Sequence, residues 1–193
     1  MKKSIHFHFV LFVLLSIYCL LIACTNTQAP ATITERPNEL SNTPVDQTLA
    51  AYYDLSEAFV NWDTAAIHAH ATLLQQRLQK IEGDTAMAAQ KGTGEGPLAK
   101  QAAGIAQQKD ITRQRRTFDS LSQKLYTWLN QNKYAASAVY LEECPMAFND
   151  EEKGQWLSRT ESIRNPYLGL HHPKYKKGMV ECGSIKDSIQ KRQ

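Results

Sequence analysis

The chain has 193 residues with 22 basic and 19 acidic side chains, and its formal net charge at pH 7 is only +3. This length leaves room for one domain with a single core beside any targeting segment. The nearly balanced charge gives no electrostatic reason to expect a nucleic acid as partner.

The N-terminus has the pattern of an export signal. Lys2 and Lys3 precede an apolar run from about Phe9 to Ile22, and the run ends at Leu21-Ile22-Ala23-Cys24. These last residues resemble the bacterial lipobox, in which the cysteine is lipidated after cleavage. We therefore predict a signal peptide at residues 1–23 and a lipid anchor on Cys24, with an uncleaved anchor or an ordinary signal peptide as alternatives.

A lipid anchor would place the mature protein at the cell envelope, facing the periplasm, and we expect the outer membrane rather than the inner one. Residues 24–44 are rich in Thr, Asn and Pro and show no apolar period, so they are predicted to be a disordered tether. The domain itself is expected over residues 45–190.

Apolar residues with helical spacing follow the tether. One helix is predicted from about Val45 to Asn61 and a second, capped by Asp63, up to Gly83. A glycine-rich connection leads to helical sequence from Pro97 to about Asn132, with a break near Lys109-Asp110. These elements predict a mainly α fold, an antiparallel bundle of three or four helices.

The basic stretch "RQRR" at residues 113–116 falls within the last helical segment. Charged runs of this kind usually lie on a solvated helix face, and Asp110 and Asp119 are near enough to offset the charge. We therefore predict a solvent-exposed face rather than a binding patch.

The sequence changes character after Asn132. Short strands are predicted around Val139–Leu141 and around Met179–Ile185, with a turn at "NDEEKG" and a loop at "RNPYLG" between them. The section therefore predicts a small irregular β cap at the C-terminal end of the domain, with the motif region at residues 134–186.

Four sulfur-containing side chains fall in this cap, as Cys144 and Met146 in "ECPMAF" and as Met179 and Cys182 in "MVECGS". Thiolates and thioethers together select Cu(I), or its chemical relative Ag(I), over hard cations. After export and lipidation, however, Cys144 and Cys182 would be the only cysteines left, and an exported pair of this kind often forms a disulfide. On the residues alone the disulfide is the favoured interpretation, with the metal site as the alternative.

The segment from Val139 to Ile185 resembles the end of an uncharacterised bacterial domain found in exported proteins and appended to HlyD/CusB-like copper-efflux adaptors. The similar elements are C-P-M at 144–146, N-P-Y-x-G at 165–169 and M-x-x-C-G at 179–183, and the resemblance extends upstream to about Val45. It implies a helical domain that handles heavy metals, with Cys144, Met146, Met179 and Cys182 as ligands. The insertion "LHHPKYKK" departs from the pattern and offers His171 and His172 as further donors.

With this resemblance included, we expect a lipid-anchored protein that captures Cu(I) at the membrane surface and passes it to an efflux adaptor or another envelope protein. No catalytic residues are predicted, because the sequence has no C-x-x-C pair and no G-x-S-x-G motif. The alternative function is a helical protein-interaction module stapled by a Cys144–Cys182 disulfide.

Overall fold

The computed structural model of the chain describes residues 42–84 and 96–192. The predicted signal peptide, the lipidation site Cys24 and nearly all of the predicted tether lie outside the described residues, as does most of the glycine-rich connection. Within the described ranges, no helix is both long enough and apolar enough to cross a membrane.

Helices account for most of the described domain, and their ends follow capping side chains. Asp63 accepts a hydrogen bond from the Ala66 amide, and Asp110 accepts one from the Arg113 amide. The predicted break before Ile111 is therefore confirmed, because Asp110 caps a new helix there. The described residues contain four α-helices: α1 Pro44–Val60, α2 Thr64–Asp84, α3 Pro97–Gln107 and α4 Ile111–Gln131.

The helical core is built from the apolar stripes that the sequence indicates. Consecutive helices contact one another, and aromatic rings from α1 and α4 meet between them. The Phe118 ring lies 5.0 Å from the rings of both Tyr52 and Phe59, measured between centroids. All three residues are fully buried, so the aromatic stripe predicted for the first helix is core.

A three-stranded antiparallel sheet follows the helices. Its strands are β1 Val139–Phe148, β2 Glu152–Ser158 and β3 Ser184–Ile189, in the order β2-β1-β3 with β1 in the centre. The mainly α fold with a small C-terminal β cap is thus confirmed. The sheet explains how the two sulfur-containing segments meet, because β1 carries Cys144 and β3 begins two residues after Cys182.

The strand β2 was not predicted. The turn predicted at "NDEEKG" ends early, and the chain is already a strand from Glu152. Four consecutive residues of this strand, 154–157, are buried, so the apolar-polar alternation that signals a strand is absent. Gly154 adds to the ambiguity. It is required because a Cβ there would lie 2.7 Å from the Ala147 Cβ and 2.8 Å from the Tyr167 ring.

Helix side chains bind the outer edge of β2. Asp119 accepts a hydrogen bond from the Gln155 amide at 2.7 Å, and the Tyr52 hydroxyl accepts one from the Leu157 amide at 3.0 Å. The Tyr167 hydroxyl donates to the Gln155 carbonyl. These bonds cover an edge strand that would otherwise expose unpaired backbone groups, and they fix the sheet to the helices.

The prediction that the "RQRR" stretch is solvated is wrong for Arg115, which is only 5% exposed. Its guanidinium donates to the carbonyls of Phe59 and Pro166 and lies 3.9 Å from the Trp62 ring centroid. Arg116 is exposed, as predicted, and pairs with Glu152. The basic run thus predicted solvent exposure correctly for Arg116 and wrongly for Arg115, because adjacent residues of α4 point to different sides of the helix.

Candidate metal centre

Cys144 and Cys182 meet in the folded domain, and we call them the cysteine pair. Their sulfur atoms lie 2.7 Å apart, with no disulfide bond between them. This separation is longer than the roughly 2.05 Å of a disulfide bond and shorter than the contact distance of two unbonded sulfur atoms, so the pair has to move either to form a bond or to share an ion. Cys144 is fully buried in the central strand, while Cys182 is half-buried, so solvent and any incoming ion reach the pair from the Cys182 side.

The second predicted strand is wrong at its start. Lys177–Met179 form a short 3-10 helix, and strand pairing begins only at Ser184, opposite Glu143. The turn is closed by a hydrogen bond of 3.1 Å from the Cys182 amide to the Met179 carbonyl. A turn therefore brings these two residues into one short segment, which an extended strand would not do.

Gly183 gives this segment its bend. Its φ of +144° is a conformation that favours glycine, and a Cβ there would lie 2.8 Å from the Trp156 ring. The bend lets Cys182 reach Cys144 while the chain continues directly into β3.

The two methionines lie beside the cysteine pair in sequence and are both half-buried at the edge of the core. The register between β1 and β2 shifts between Cys144 and Phe148, so β1 bulges in the stretch that contains Met146. The bulge interrupts the regular alternation of side chains between Cys144 and Met146. Met179 belongs to the same turn as Cys182.

The histidines of the insertion lie in the loop before this turn. His171 is exposed, whereas the His172 ring stacks on Tyr175 and its Nδ1 accepts hydrogen bonds from the amides of Lys174 and Tyr175. Burial, and then the nearby Arg115 charge, lower the pKa of His172. Among the described residues, no three His, Cys, Asp or Glu side chains are grouped so that they could hold a metal ion, so neither histidine joins the cysteine pair in such a group.

Asn165, from the N-P-Y element, holds the Cys182 segment in place. Its side-chain amide donates to the Cys182 carbonyl at 2.8 Å, and its backbone amide donates to the Val180 carbonyl at 2.7 Å. The side-chain oxygen accepts from the amides of Tyr167 and Leu168. Asn165 is fully buried, so this sequence element is a structural brace for the cysteine pair.

A buried carboxyl group that was not predicted belongs to Glu142, two residues before Cys144 on β1. The residue is 0% exposed, and within the described ranges neither carboxyl oxygen has a hydrogen-bond partner at ordinary geometry. Burial raises its pKa to about 8, and weak hydrogen bonds from the nearby Trp156 and Ser158 side chains oppose this only in part. The signal was present in "VYLEEC", since two adjacent glutamates in a strand point to opposite faces and only one can reach solvent easily.

Glu142 should make the stability of the protein depend on pH. Because its folded pKa is raised from 4.5 to about 8, the folded state is favoured below pH 4.5, and this contribution is lost as pH rises toward 8. The free energy of unfolding of the wild type should therefore fall by about 2 kcal/mol between pH 5 and pH 8, and in Glu142→Gln this fall should be absent. The pKa shift alone sets an upper limit of about 5 kcal/mol, which relaxation and water entry reduce. Urea denaturation at both pH values would measure the difference.

Glu143→Gln is the matched control for this prediction. Burial tends to raise the pKa of Glu143, but hydrogen bonds from Lys186, Gln155 and Lys153 outweigh it and hold the pKa below its usual value. Its replacement should therefore lower stability at pH 8, by about 0.5 kcal/mol for a largely solvated cluster. If the stability of Glu142→Gln fell with pH as steeply as that of the wild type, Glu142 would not be the group responsible.

A family model described as "Protein of unknown function (DUF3347)" matches residues 48–136. The chain is similar to that family from α1 to the end of α4, and the match stops before β1 and the cysteine pair. No curated protein and no solved structure matches the chain.

Proposed function

We propose that this protein is a lipid-anchored envelope protein that binds Cu(I), or Ag(I), through the thiolates of Cys144 and Cys182. The observation that carries the proposal is the meeting of Cys144, which is fully buried, with Cys182, which is reachable from solvent, at a sulfur–sulfur distance of 2.7 Å. Met146 and Met179 are proposed as thioether donors beside them. Such a soft donor set selects monovalent copper or silver over hard cations.

The spacing of the pair can be tested against the size of an ion. Metal–thiolate bonds of about 2.3 Å place two sulfur atoms about 3.8 Å apart at a tetrahedral centre and about 4.6 Å apart at a linear one. The observed 2.7 Å is shorter, so the pair has to open by about 1–2 Å to admit an ion. The donor chemistry fits a soft ion, and a small movement of one cysteine completes the fit.

Metal binding by the cysteine pair should depend on pH. Burial, together with the neighbouring Cys144, raises the pKa of the Cys182 thiol. A bound cation would displace the proton from this thiol, so we expect Cu(I) affinity to rise with pH.

We further propose that the protein hands the ion to an efflux adaptor or another envelope protein by ligand exchange, with no bond made or broken in a substrate. The export signal and lipobox-like residues at 1–24 support the envelope location. The similarity to an efflux-associated domain supports the transfer role. The four helices, whose consecutive members pack together, are proposed to form an antiparallel bundle that supports the site.

The alternative function, a disulfide-stapled interaction module, is favoured by the same short distance, since two thiols at 2.7 Å need little movement to bond. One experiment separates the two functions. Protein isolated from cells without reductant would be analysed by mass spectrometry, and the reduced protein would be titrated with Cu(I) against a chromogenic chelator. A complete Cys144–Cys182 bridge together with no Cu(I) uptake by the reduced form would refute the metal function.

Replacing both Met146 and Met179 by leucine should weaken Cu(I) binding about 10-fold, because two soft donors are lost. The free energy of unfolding should change by less than about 1.5 kcal/mol, since leucine nearly conserves the volume. Chelator competition and urea denaturation measure the two quantities. The single variants would show whether Met179, in the turn of Cys182, contributes more than Met146, and an unchanged affinity would show that both are packing residues only.

A further inference from the structure

The two cysteines are held by very different parts of the fold. Cys144 belongs to the central strand, which pairs with β2 on one side and β3 on the other. Residues 179–183, which we call the Cys182 limb, precede the strand pairing of β3. An opening of 1–2 Å at Cys144 would disrupt the sheet, whereas the same movement of the limb leaves the sheet intact.

Asn165 makes two of the hydrogen bonds that hold the Cys182 limb. It donates its side-chain amide to the Cys182 carbonyl and its backbone amide to the Val180 carbonyl. Asn165 is itself held in place, because its side-chain oxygen accepts two backbone amides of the following turn and the residue is fully buried. The limb is also held by bonds within its own turn, from the Cys182 amide to Met179 and from the Val180 amide to Lys177, and by packing of Met179 and Cys182 against the core.

We infer that Cys182 is the ligand through which the ion enters and leaves, and that Asn165 is the positioning residue that sets how readily the Cys182 limb opens. The metal in this inference rests on the proposed function, whereas the opening of the Cys182 limb does not depend on it. In transfer, the bond from Cu(I) to the Cys182 sulfur breaks as a soft donor of the recipient binds the ion. The freed thiolate takes a proton from water, Cu(I) keeps its oxidation state, and Cys144 retains the ion until the second exchange.

An asparagine suits this position because it donates and accepts at the same time. An aspartate of the same shape keeps the two bonds from Tyr167 and Leu168, but in its ionised form it cannot donate to the Cys182 carbonyl. Asn165→Asp therefore removes the side-chain contact to the limb while preserving the turn that carries it. Loss of this bond should increase the open population of the limb about 10-fold, the equivalent of one typical hydrogen bond.

The first test uses the reduced wild-type protein without metal. Iodoacetamide would be added under native conditions at pH 8.5, and the modification of each cysteine would be followed by peptide mass spectrometry. We expect Cys182 to react at least about 10-fold faster than Cys144, because reactivity follows access to the thiolate. Equal rates, or faster reaction of Cys144, would overturn the inference.

The second test compares Asn165→Asp with Ser122→Ala, which removes a buried hydrogen bond between α4 and α1 that involves neither Asn165 nor the limb. Asn165→Asp should raise both the Cys182 alkylation rate and the rate of Cu(I) release to bathocuproine disulfonate about 10-fold. Ser122→Ala should change neither, although it lowers global stability. A folded Asn165→Asp variant with both rates unchanged, or with rates that match those of Ser122→Ala, would overturn the role of Asn165.

The experiments distinguish a failure of Cu(I) binding from a failure of the limb to open at Cys182. A wild-type protein that binds no Cu(I) would refute the proposed function, and the alkylation rates would still decide whether the limb opens at Cys182. If Asn165→Asp does not fold, the wild-type alkylation rates still decide the asymmetry of the pair. Cu(I)-loaded wild type would then be treated with bathocuproine disulfonate and iodoacetamide together. The inference requires Cys182 to be alkylated before Cys144 as the ion leaves, and simultaneous alkylation of both would overturn it.

Discussion

Replacing Cys144 by serine is expected to abolish high-affinity binding of Cu(I). The affinity should fall at least about 1000-fold, because a hydroxyl is a hard donor that keeps its proton at neutral pH and only one thiolate then remains. Serine has nearly the same shape as cysteine, so the effect should not depend on unfolding. Burying the hydroxyl in the apolar surroundings of a fully buried residue should cost about 1–2 kcal/mol of stability.

Ala147→Ser is a suitable control for this variant. It places the same hydroxyl at another buried position of β1 and keeps both cysteines. We expect it to lose a similar amount of stability and to bind Cu(I) like the wild type. Competition with a chelator for Cu(I) under anaerobic conditions measures the affinity. A Cys144→Ser variant that binds as tightly as Ala147→Ser would exclude the cysteine pair as the site.

The same variant also distinguishes the disulfide function. A bridge between Cys144 and Cys182, which are 38 positions apart, would stabilise the oxidised protein by about 4 kcal/mol on the chain-entropy model. Cys144→Ser would then lose that stability under oxidising conditions and very little beyond the hydroxyl cost under reducing ones. Under the metal function, the wild type gains stability from added Cu(I) and the serine variant does not.

The helices could be predicted because their signals are local. Asp63 and Asp110 are capping residues that act within one turn, and the aromatic stripe of α1 has helical period. The β cap was harder, since β2 is held by Asp119 and Tyr52, which are distant in sequence. Its four consecutive buried residues leave no alternation to detect.

The candidate site was predictable in its residues and not in its geometry. Cys144 and Cys182 could be identified because sulfur-containing side chains are few in this chain and fall in two short clusters. No local pattern indicated that Met179 would end a 3-10 turn. The turn depends on the buried side chain of Asn165, whose partners lie 15 and 17 positions further along the chain. Glu142 was missed because the sheet that buries it is itself formed by long-range pairing.

Arg115 shows the same limit, because it is a buried cation that joins three separate segments. It bonds to Phe59 at the end of α1 and to Pro166 in the loop beside Asn165, while its guanidinium stacks on Trp62. It is absent from the ion pairs found within the described ranges. Burial lowers its pKa to about 9, against a smaller effect of Tyr167, so the group is still charged at neutral pH.

Arg115→Ala is therefore expected to lower the free energy of unfolding by about 3 kcal/mol. It takes the arginine donor from the Pro166 carbonyl and one of two donors from the Phe59 carbonyl, which keeps the Trp62 amide, and it removes the contact with the Trp62 ring. Arg115→Lys should lose about 2 kcal/mol, since one ammonium cannot replace the planar fork. The adjacent Arg116 is the matched control: it pairs with Glu152 at the surface and lies over the Phe148 ring, so its replacement by alanine should cost much less than that of Arg115. Urea denaturation compares the three variants.

Comparing the two alanine variants tests whether Arg115 is a solvated group or a buried structural cation. If Arg115→Ala cost no more than Arg116→Ala, the guanidinium would be a solvated group, as charge runs usually are, and the contacts with Phe59 and Pro166 would contribute little. If it costs several times more, Arg115 fixes the loop that contains Asn165 to the helices. Since Asn165 in turn holds the Cys182 limb, Arg115→Ala should then also raise the rate at which Cys182 is alkylated, whereas Arg116→Ala should not.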